Sequence, residues 1–558
     1  MEPSAGLFAA CLLFLLCSSV QGKGGVERVY YYNPCFLFVL LDCYPRHAST
    51  FLLKAPHLIG GVYKKAMFRE YTDATFTHMA PRPAWLGFLG PILRAEVDDT
   101  IVVYVKNFAS RNYSMHPHGI FYEKDAEGAL YPDATPNKWK VDDSIPPGGS
   151  YEYRWVVRPE FAPTDDDANC LTWVYHSHVD APYDISSGLI GALLTCKKGK
   201  SESGRNDVDQ DVVVMFTVVD ENMSWYLEDN IQTCSDPAGV DREDPDFNES
   251  NLMHAINGYM FGNLPGIELC QGQTVAWHLF GMGNEVDIHS AFFHGNTLLD
   301  RGHRTDVLSL FPATFVTAQM VPKATGKWLL ACQVNDHLDA GMQAFYVVHS
   351  CNSDEGSTAM GGVVRNYYLA AEKILWDYAP SGKDLINNIS LTDPDSASEV
   401  FFGTDGGRIG GRYMKVIYRE YTDSTFTTAK SHSKHLGLLG PVLRAEEGDT
   451  LKVTFINKAK ANYSIHPHGL YYEKRFQGRV YKPGSHVGPG ENFTYIWQVV
   501  EGPSPTDSPC IPYLYYSATK PVLDTNAGLV GPLLVCKKGV LGENGMQGTY
   551  SLQTQWHK

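Results

Sequence analysis

A long internal repeat constrains the fold of this chain more than any other feature of its sequence. Three segments recur 350 residues further on: 60–77 as 410–427, 86–96 as 436–446, and 112–119 as 462–469. Solenoid repeats are far shorter, roughly 20–50 residues. The repeat therefore predicts duplication of a two-domain block, so that three domains follow one another as A–B–A′.

The local pattern of these domains is that of β-strands. A chain of 558 residues exceeds the roughly 250–300 residues that one hydrophobic core can hold. Short β-branched and aromatic runs alternate with clusters of Gly, Pro, Asn and Asp, as at 101–106, 211–219 and 451–456. We therefore expect an all-β chain of three tandem β-sandwich or barrel domains without long helices. The expected domains, linkers and divergent tail are 26–200, 201–207, 208–351, 352–362, 362–540 and 541–558.

The N-terminus and the glycosylation sequons favour a secreted protein. Residues 7–16 are apolar and small residues follow them, which predicts a signal peptide at 1–22, although its basic region is missing. No later segment reaches the roughly 18 apolar residues of a membrane span. Six Asn-x-Ser/Thr sequons predict glycosylation at Asn112, Asn222, Asn248, Asn388, Asn462 and Asn492.

Cysteine spacing agrees with the repeat. Two of the 12 cysteines lie in the predicted signal peptide. Two pairs have the same spacing of 26 residues in the two copies, and a third brackets the middle domain: Cys170–Cys196, Cys510–Cys536 and Cys270–Cys351. We expect three disulfides, which an oxidising compartment permits. This pairing leaves Cys35, Cys43, Cys234 and Cys332.

The net charge of −16 opposes a nucleic-acid partner, because phosphate contacts need a basic surface. An acidic surface suits a cationic substrate or metal ions. It is also a common means of keeping a protein soluble, so charge alone leaves both interpretations open.

The middle domain carries a set of soft metal ligands. Cys332, His337 and Met342 follow Cys-x4-His-x4-Met spacing, and His289 lies 43 residues before Cys332. A thiolate, two imidazoles and a weak axial thioether are the ligands of type 1 (blue) copper, an electron-transfer site. The alternative is a buried free cysteine beside an incidental histidine and methionine. We favour copper because the complete ligand set is present.

Two His-x-His pairs point to a second metal centre in the first domain: His116 with His118, and His176 with His178. Residues i and i+2 of a strand point to the same side, so each pair can present two imidazoles to one metal cluster. One such pair is typical of an ordinary strand, but two in one domain indicate metal. The third domain keeps His466 and His468 and has 516–518 (Tyr-Ser-Ala) in place of the second pair. We expect that copy to be structural.

These motifs, together with the segments 254–258 and 280–289, resemble the ceruloplasmin–hephaestin group of multicopper ferroxidases. The resemblance covers about 55–200 and 208–540 and implies cupredoxin (plastocyanin-like) domains. It also implies an enzyme of copper and iron homeostasis with copper as cofactor and Fe(II) and O2 as substrates. Fe(II) gives electrons to type 1 copper, which passes them to a trinuclear copper cluster that reduces O2 to water.

The resemblance assigns ligands to several sites. Type 1 copper takes His289, Cys332, His337 and Met342, and half of the trinuclear cluster takes His116, His118, His176 and His178. The implied iron ligands are Glu249, His254 and Asp336, with Glu285 lent to a neighbouring domain's iron site. Hard carboxylates with one imidazole suit iron, although each residue alone is more often a surface polar group. Calcium is implied at the Lys124 carbonyl, Asp142 and Asp143, where a solvated acidic loop is the alternative.

The sequence also departs from the family. The family's trinuclear cluster needs eight histidines, from the first and the sixth domain, and this chain supplies four. Cys332 is flanked by Ala331 and Gln333 instead of two histidines, so self-association cannot rebuild the cluster. We therefore expect a truncated chain that needs the missing C-terminal domains, lacks the membrane anchor of hephaestin-type members and cannot reduce O2 efficiently alone. Because 32–49 does not match the third domain, we also expect the first sandwich to lack a proper opening strand.

Two other functions stay open at this point. Coagulation factors V and VIII use similar domains as partner-binding platforms without oxidase chemistry, but such a scaffold has no need for Cys332 beside His337 and Met342. A secreted copper- or iron-binding fragment that modulates a full-length enzyme is the second alternative. Amines or phenols could also serve as substrates, although Glu249, His254 and Asp336 favour iron.

Overall fold

The computed structural model describes the backbone of residues 27–38 and residues 48–201, 205–283, 287–351, 361–394, 396–478, 486–543 and 545–548. The predicted signal peptide, Glu285 and most of the predicted tail lie outside these described residues. Within them the structure is all-β, as predicted. No helix of the described part is long and apolar enough to cross a membrane.

The first domain consists of two sheets with a common core. Its strands are β1 (Glu27–Phe38), β2 (Lys64–Tyr71), β3 (Leu93–Glu96), β4 (Thr100–Lys106), β5 (His116–Pro117), β6 (Phe121–Tyr122), β7 (Ser150–Val156), β8 (Cys170–His176) and β9 (Ile190–Cys196). One sheet has the order β2-β1-β4-β7-β6 and the other β3-β9-β8-β5. Apolar side chains of both sheets, such as Val103 of β4 and Leu193 of β9, are buried in one cluster.

The expected loss of the opening strand is wrong. Strand β1 pairs antiparallel with β2, where Tyr31 faces Tyr71, and parallel with β4. The equivalent strand of the third domain pairs in the same register, with Tyr368 opposite Tyr421. A strand ladder is made by backbone N–H and C=O groups, so this strand forms although its side chains differ from those of the other copy.

The second domain has the larger sheets. Its strands are β10 (Gln210–Asp220), β11 (Leu252–Ile256), β12 (Glu268–Cys270), β13 (Val275–Gly281), β14 (His289–Phe293), β15 (Leu298–Asp300), β16 (His303–Thr305), β17 (Val307–Leu310), β18 (Thr314–Met320), β19 (Gly326–Cys332) and β20 (Gln343–His349). They form the sheets β11-β10-β13-β18-β15-β16 and β12-β20-β19-β14-β17. The second sheet brings the strand that starts at His289 beside the strand that ends at Cys332.

The third domain repeats the architecture of the first. Its strands are β21 (Val364–Asp377), β22 (Lys383–Asp384), β23 (Ile389–Ser390), β24 (Arg412–Tyr421), β25 (Leu443–Glu446), β26 (Thr450–Asn457), β27 (His466–Pro467), β28 (Asn492–Gln498), β29 (Cys510–Tyr516) and β30 (Val530–Cys536). The sheets β24-β21-β26-β28 and β25-β30-β29-β27 correspond to the two sheets of the first domain, and β22 pairs with β23. The domain bounds given above stay predictions.

The helices are short, as expected. The α-helices are α1 (Ser49–Leu52), α2 (Ala181–Ser186), α3 (Leu227–Ile231), α4 (Pro245–Ser250), α5 (Asn335–Asp339), α6 (Glu399–Phe402) and α7 (Pro521–Ala527). Single 3-10 turns occupy Ala84–Leu86, Lys124–Ala126, Asn137–Trp139, Pro159–Phe161, Glu221–Met223, Pro237–Gly239, Lys434–Leu436 and Lys474–Phe476.

The three predicted disulfides are confirmed: Cys170–Cys196, Cys270–Cys351 and Cys510–Cys536. The first and third join directly opposed residues of neighbouring strands. Cys234 and Cys332 are buried free cysteines, which leaves the Cys332 thiol available as a ligand.

Polar contacts join the second domain to its two neighbours. On the first-domain side, Thr172 Oγ1 lies 2.8 Å from His278 Nδ1, and His278 Nε2 lies 3.1 Å from Asp211 Oδ1. On the third-domain side, Asp306 Oδ2 accepts a hydrogen bond from the backbone N–H of Gly469 at 2.9 Å and lies 2.9 Å from His468 Nδ1. These side chains therefore hold the second domain against both of its neighbours.

Candidate metal centres

Three side chains of the second domain converge on one buried point. His289 begins β14, Cys332 ends β19, and His337 lies in α5. Their ligand atoms all lie within 4.8 Å of one another. The two Nδ1 atoms are 3.1 Å apart, and Cys332 Sγ lies 3.6 Å from His337 Nδ1 and 4.0 Å from His289 Nδ1. Metal bonds of about 2.0–2.3 Å place neighbouring donors roughly 3–4 Å apart, so the group fits one metal ion.

The fourth predicted ligand, Met342, is fully buried beside this group. The backbone N–H of Cys332 donates to the Met342 carbonyl at 3.1 Å, and the N–H of Met342 donates to the His337 carbonyl at 2.9 Å. Burial raises the pKa of the Cys332 thiol, while burial and His289 lower the pKa of His337 to about 4. At neutral pH a soft metal therefore meets a neutral imidazole and displaces one proton from the thiol.

Sequence reasoning missed a residue that orients this site. Asp287 Oδ1 lies 3.0 Å from His289 Nε2, and both side chains are fully buried. The carboxylate holds the proton on Nε2 and leaves the Nδ1 lone pair for a metal, which is how outer groups fix ligating histidines. The i, i+2 spacing of Asp287 and His289 is the signal that could have indicated this pair.

The two His-x-His pairs of the first domain also converge. His116 on β5 faces His176 on β8, and His118 Nε2 lies 3.0 Å from His176 Nε2. Five of the six ring pairs have centroids 5.2–5.6 Å apart. His178 Nδ1 is buried and lacks a hydrogen-bond partner among the described residues. The cluster thus offers both closely spaced nitrogens and an unsatisfied one.

Burial lowers the pKa of three imidazoles of this cluster, His116, His118 and His176, and so favours their neutral form. Burial, with the neighbouring histidines, lowers the pKa of His118 to about 4 and that of His176 to about 3. His116 Nδ1 donates to the Glu127 carbonyl at 2.7 Å and His176 Nδ1 to the Ser177 carbonyl at 2.9 Å. Both bonds leave the Nε2 lone pairs free to bind a metal, so these residues fit copper.

The implied iron ligands come together only in part. The His254 ring lies 5.3 Å from the His337 ring, and its Nδ1 donates to the Leu252 carbonyl at 2.9 Å. Glu249 and Asp336 are exposed. Within the described part of the chain, these two carboxylates and His254 do not reach the mutual spacing of the Cys332 group.

The implied calcium ligands Asp142 and Asp143 do not lie in a solvated loop. Asp142 and Asp143 are fully buried. Asp142 Oδ2 accepts a hydrogen bond from the Gly128 N–H at 2.8 Å, whereas Asp142 Oδ1 and both Asp143 oxygens lack hydrogen-bond partners among the described residues. Burial raises the pKa of both carboxyls, that of Asp142 to about 6. A bound Ca²⁺ would satisfy these oxygens.

The third domain's histidines and the sequon asparagines are not among the predicted ligands of these centres. His468 stacks on Phe292 at a centroid distance of 3.9 Å, which places the third domain's histidines in the contact with the second domain. Four sequon asparagines are exposed: Asn112, Asn388, Asn462 and Asn492. Asn222 and Asn248 are half-buried, and each donates its side-chain amide to a backbone carbonyl.

Comparison with known proteins identifies a family to which the chain is similar. Models described as "Multicopper oxidase" match residues 71–199 and 420–539, and residues 232–350. The chain is 57% identical to Ferroxidase HEPHL1 of Homo sapiens, covering 97% of the chain and 49% of that protein. It is 53% identical to human Hephaestin, covering 90% and 44%, and 48% identical to human Ceruloplasmin, covering 91% and 50%. The chain spans about half the length of these curated relatives.

Proposed function

Because the chain belongs to the multicopper oxidase family, we propose that it is part of a ferroxidase that oxidises Fe(II) to Fe(III) and passes the electrons to O2. The observation that carries this proposal is the buried group of His289, Cys332 and His337, with ligand atoms within 4.8 Å of one another. A partner-binding scaffold has no need for such a group.

His289, Cys332, His337 and Met342 would hold type 1 copper, and the four histidines of the first domain would hold part of a trinuclear cluster. When bound, copper would supply one-electron transfer from Fe(II) and the reduction of O2 to water. The protein's own part is to favour neutral imidazoles at His337 and at three first-domain histidines by burial. It also excludes water from Cys332 and holds His289 in one tautomer through Asp287. This fixed, dry surrounding tunes a blue-copper site.

Iron would reach the molecule beside α5. Asp336 and Glu249 are exposed carboxylates that suit hard iron ions. His254 keeps its Nε2 lone pair, because its Nδ1–H is bonded to Leu252, and its ring lies next to His337. Because these carboxylates favour Fe(III) over Fe(II), they promote the transfer of an electron from iron toward the neighbouring ligand His337.

Reduction of O2 would need imidazole ligands that the residues around the proposed type 1 site do not supply. Ala331 and Gln333, which flank Cys332, cannot replace the imidazoles that complete a trinuclear cluster. We propose that the four first-domain histidines act with ligands from further domains, and that the protein is secreted, glycosylated and stabilised by Ca²⁺ at Asp142 and Asp143.

The test follows the reduction of copper by iron without O2. Fe(II) added anaerobically to the copper-loaded chain should bleach its blue absorbance within one turnover. Asp336→Asn and His254→Ala should slow this bleaching at least tenfold, whereas Asp339→Asn, an exposed acid of the same helix, should not.

Persistence of the blue colour in the presence of Fe(II) would reject the ferroxidase proposal and leave a copper-binding protein. Equal rates for all three variants would reject the assigned iron ligands while keeping the copper site. O2 uptake by the isolated chain at the rate of iron oxidation would contradict the need for further domains.

A further inference from the structure

A cleft of about 670 Å³ lies between the second and third domains, and the implied iron ligands Glu249, His254 and Asp336 do not line it. The second domain lines it with residues of β14, β17 and α5, and the third with residues of β29, β30 and α7. Ser290 and Gln333 are part of its wall, and they directly follow the copper ligands His289 and Cys332 in the chain.

Three polar atoms of the cleft residues have no internal partner. Gln333 Nε2, Arg304 Nε and Tyr513 Oη are each buried without a hydrogen-bond partner among the described residues. The first two are donors only, and the tyrosine hydroxyl can donate as well. Buried polar groups in native proteins are almost always satisfied. We therefore expect the cleft to bind a molecule whose oxygen atoms accept hydrogen bonds from these donors.

The remaining wall is apolar and partly aromatic. Leu338, Val307 and Val530 line it together with the rings of Tyr513 and Tyr516. The side chain of Asp306 at its edge is already hydrogen-bonded, because its Oδ2 accepts from the Gly469 N–H and lies 2.9 Å from His468 Nδ1. A flat apolar body with one oxygen-bearing end matches such a wall.

The internal repeat shows which residues of this wall differ from those of the first domain. Tyr513 and Tyr516 take the β29 positions that Trp173 and His176 hold on β8, counted from the paired cysteines. In the first domain Trp173 Nε1 donates to Thr195 Oγ1 at 2.9 Å. The counterpart of Thr195 is Val535, whose side chain accepts no hydrogen bond. The third domain has thus exchanged an imidazole and a satisfied donor for two phenols that face a cavity.

We propose that this cleft binds a small aromatic carboxylate. Its carboxylate oxygens accept hydrogen bonds from the donors of Gln333, Arg304 and Tyr513, and its ring packs on the apolar wall. The site is lined by Asn335 and Leu338 of α5 and not by the implied iron ligands themselves, and it does not depend on iron oxidation. It lies close enough to report on copper, because the Gln333 N–H donates to the Ser290 carbonyl at 2.9 Å and the Ser290 N–H to Cys332 Sγ at 3.4 Å.

The test uses benzoate as the probe and the whole secreted chain. Calorimetric titration should show saturable binding of one benzoate per chain. Benzylamine, which has the same ring and no acceptor oxygen, should not bind. Tyr513→Phe, which removes a single oxygen atom, and Gln333→Leu should each weaken benzoate binding at least fivefold. Tyr378→Phe, at an exposed tyrosine of the same domain, should leave it unchanged.

A second readout is the blue absorbance of the copper-loaded chain. Benzoate should shift this absorbance in the wild type. It should not do so in Val530→Trp, a variant designed to fill the cleft. Absence of saturable benzoate binding overturns the proposal, as does equal binding of benzylamine. Unchanged affinity in both Tyr513→Phe and Gln333→Leu overturns it too. If Gln333→Leu fails to fold, the near-isosteric Tyr513→Phe decides.

Discussion

The Nδ1 atoms of His289 and His337 lie 3.1 Å apart although 48 residues separate the two histidines. The approach is possible because β14 and β19 are paired, which brings His289 to the strand that ends at Cys332, and α5 follows directly. Two imidazoles and a thiol therefore share one buried point before any metal arrives. Such a preformed site binds metal without paying for reorganisation of the chain.

Asp287→Asn should weaken copper binding by roughly 10–100-fold, the usual effect of losing a partner of a ligating histidine. The amide cannot hold the Nε2 proton of His289 as the carboxylate does, so the Nδ1 lone pair is presented less often. Copper titration followed by the blue absorbance measures the change.

Asp300→Asn is the control, since Asp300 is a partly exposed acid of the same domain. Asp287 Oδ1 also accepts from the Val218 N–H at 2.6 Å, so the melting temperature of the copper-free variant must be compared as well. Unchanged copper affinity with normal folding contradicts the role of Asp287.

Much of the candidate type 1 site could be predicted from sequence because three of its four predicted ligands lie close together in the chain. Cys332 ends β19, His337 lies in α5 and Met342 directly precedes β20, so their spacing indicates three of the four predicted ligands. The His-x-His pairs could also be recognised from the sequence, because residues i and i+2 of a strand point to the same side. Two of the disulfides followed from equal spacings in the two copies, and the third from two cysteines that bracket the middle domain.

The rest depends on contacts between distant segments. Burial of Asp142 and Asp143 without partners is a property of packing, and an acidic pair in a sequence usually means a solvated loop. The opening strand of the first domain was missed because side-chain likeness was compared, whereas backbone groups make the ladder. The spacing of Glu249, His254 and Asp336 likewise could not be derived from their order in the chain.

Calcium should stabilise the protein more at pH 7 than at pH 5. Burial and Asp143 raise the pKa of Asp142 to about 6, above its unfolded value near 3.9. Without calcium the folded chain binds more protons than the unfolded one between these values, so stability falls as the pH rises through about 4 to 6. Calcium binds the ionised carboxylates, and its affinity rises over the same range.

Melting temperatures with excess Ca²⁺ and with EDTA, at both pH values, measure this effect. Asp143→Asn should abolish the calcium-dependent shift, and Asp166→Asn, an exposed acid of the same domain, should retain it. A melting temperature that does not respond to calcium at pH 7 contradicts the site.

Lys65→Met should destabilise the contact between the first two domains strongly. Lys65 Nζ pairs with Glu221 in a buried ion pair, with side chains 5% and 2% exposed. Removal of one partner from such a pair costs about 3–5 kcal/mol, because a charge stays buried alone. The double variant Lys65→Met/Glu221→Leu should recover most of the lost stability.

Lys64→Met is the matched control, since the neighbouring Lys64–Asp229 pair is accessible to solvent, with side chains 29% and 53% exposed, and such pairs contribute about 1 kcal/mol or less. Thermal unfolding of the wild type, the two single variants and the double variant measures the differences in melting temperature. Equal melting temperatures for Lys65→Met and Lys64→Met would show that the buried pair is not critical.

His118→Leu should remove a second, weaker copper site and leave the blue site intact. His118 Nε2 and His176 Nε2, 3.0 Å apart, are the closest nitrogen pair of the first-domain cluster for one ion. Competition with a chelator separates the two affinities. His468→Leu, in the repeat copy that lacks the second pair, should not change copper binding, and loss of copper in that variant would place the second site elsewhere.

The most direct test is the absorbance and copper content of the copper-loaded chain compared with Cys332→Ser and Cys234→Ser. Both positions are buried free cysteines, and only Cys332 lies with two histidine nitrogens. We expect an intense blue charge-transfer band in the wild type and in Cys234→Ser, and a colourless protein that lacks the tightly bound copper in Cys332→Ser. A colourless wild type, or a blue Cys332→Ser variant, would contradict the type 1 copper site on which the proposed function depends.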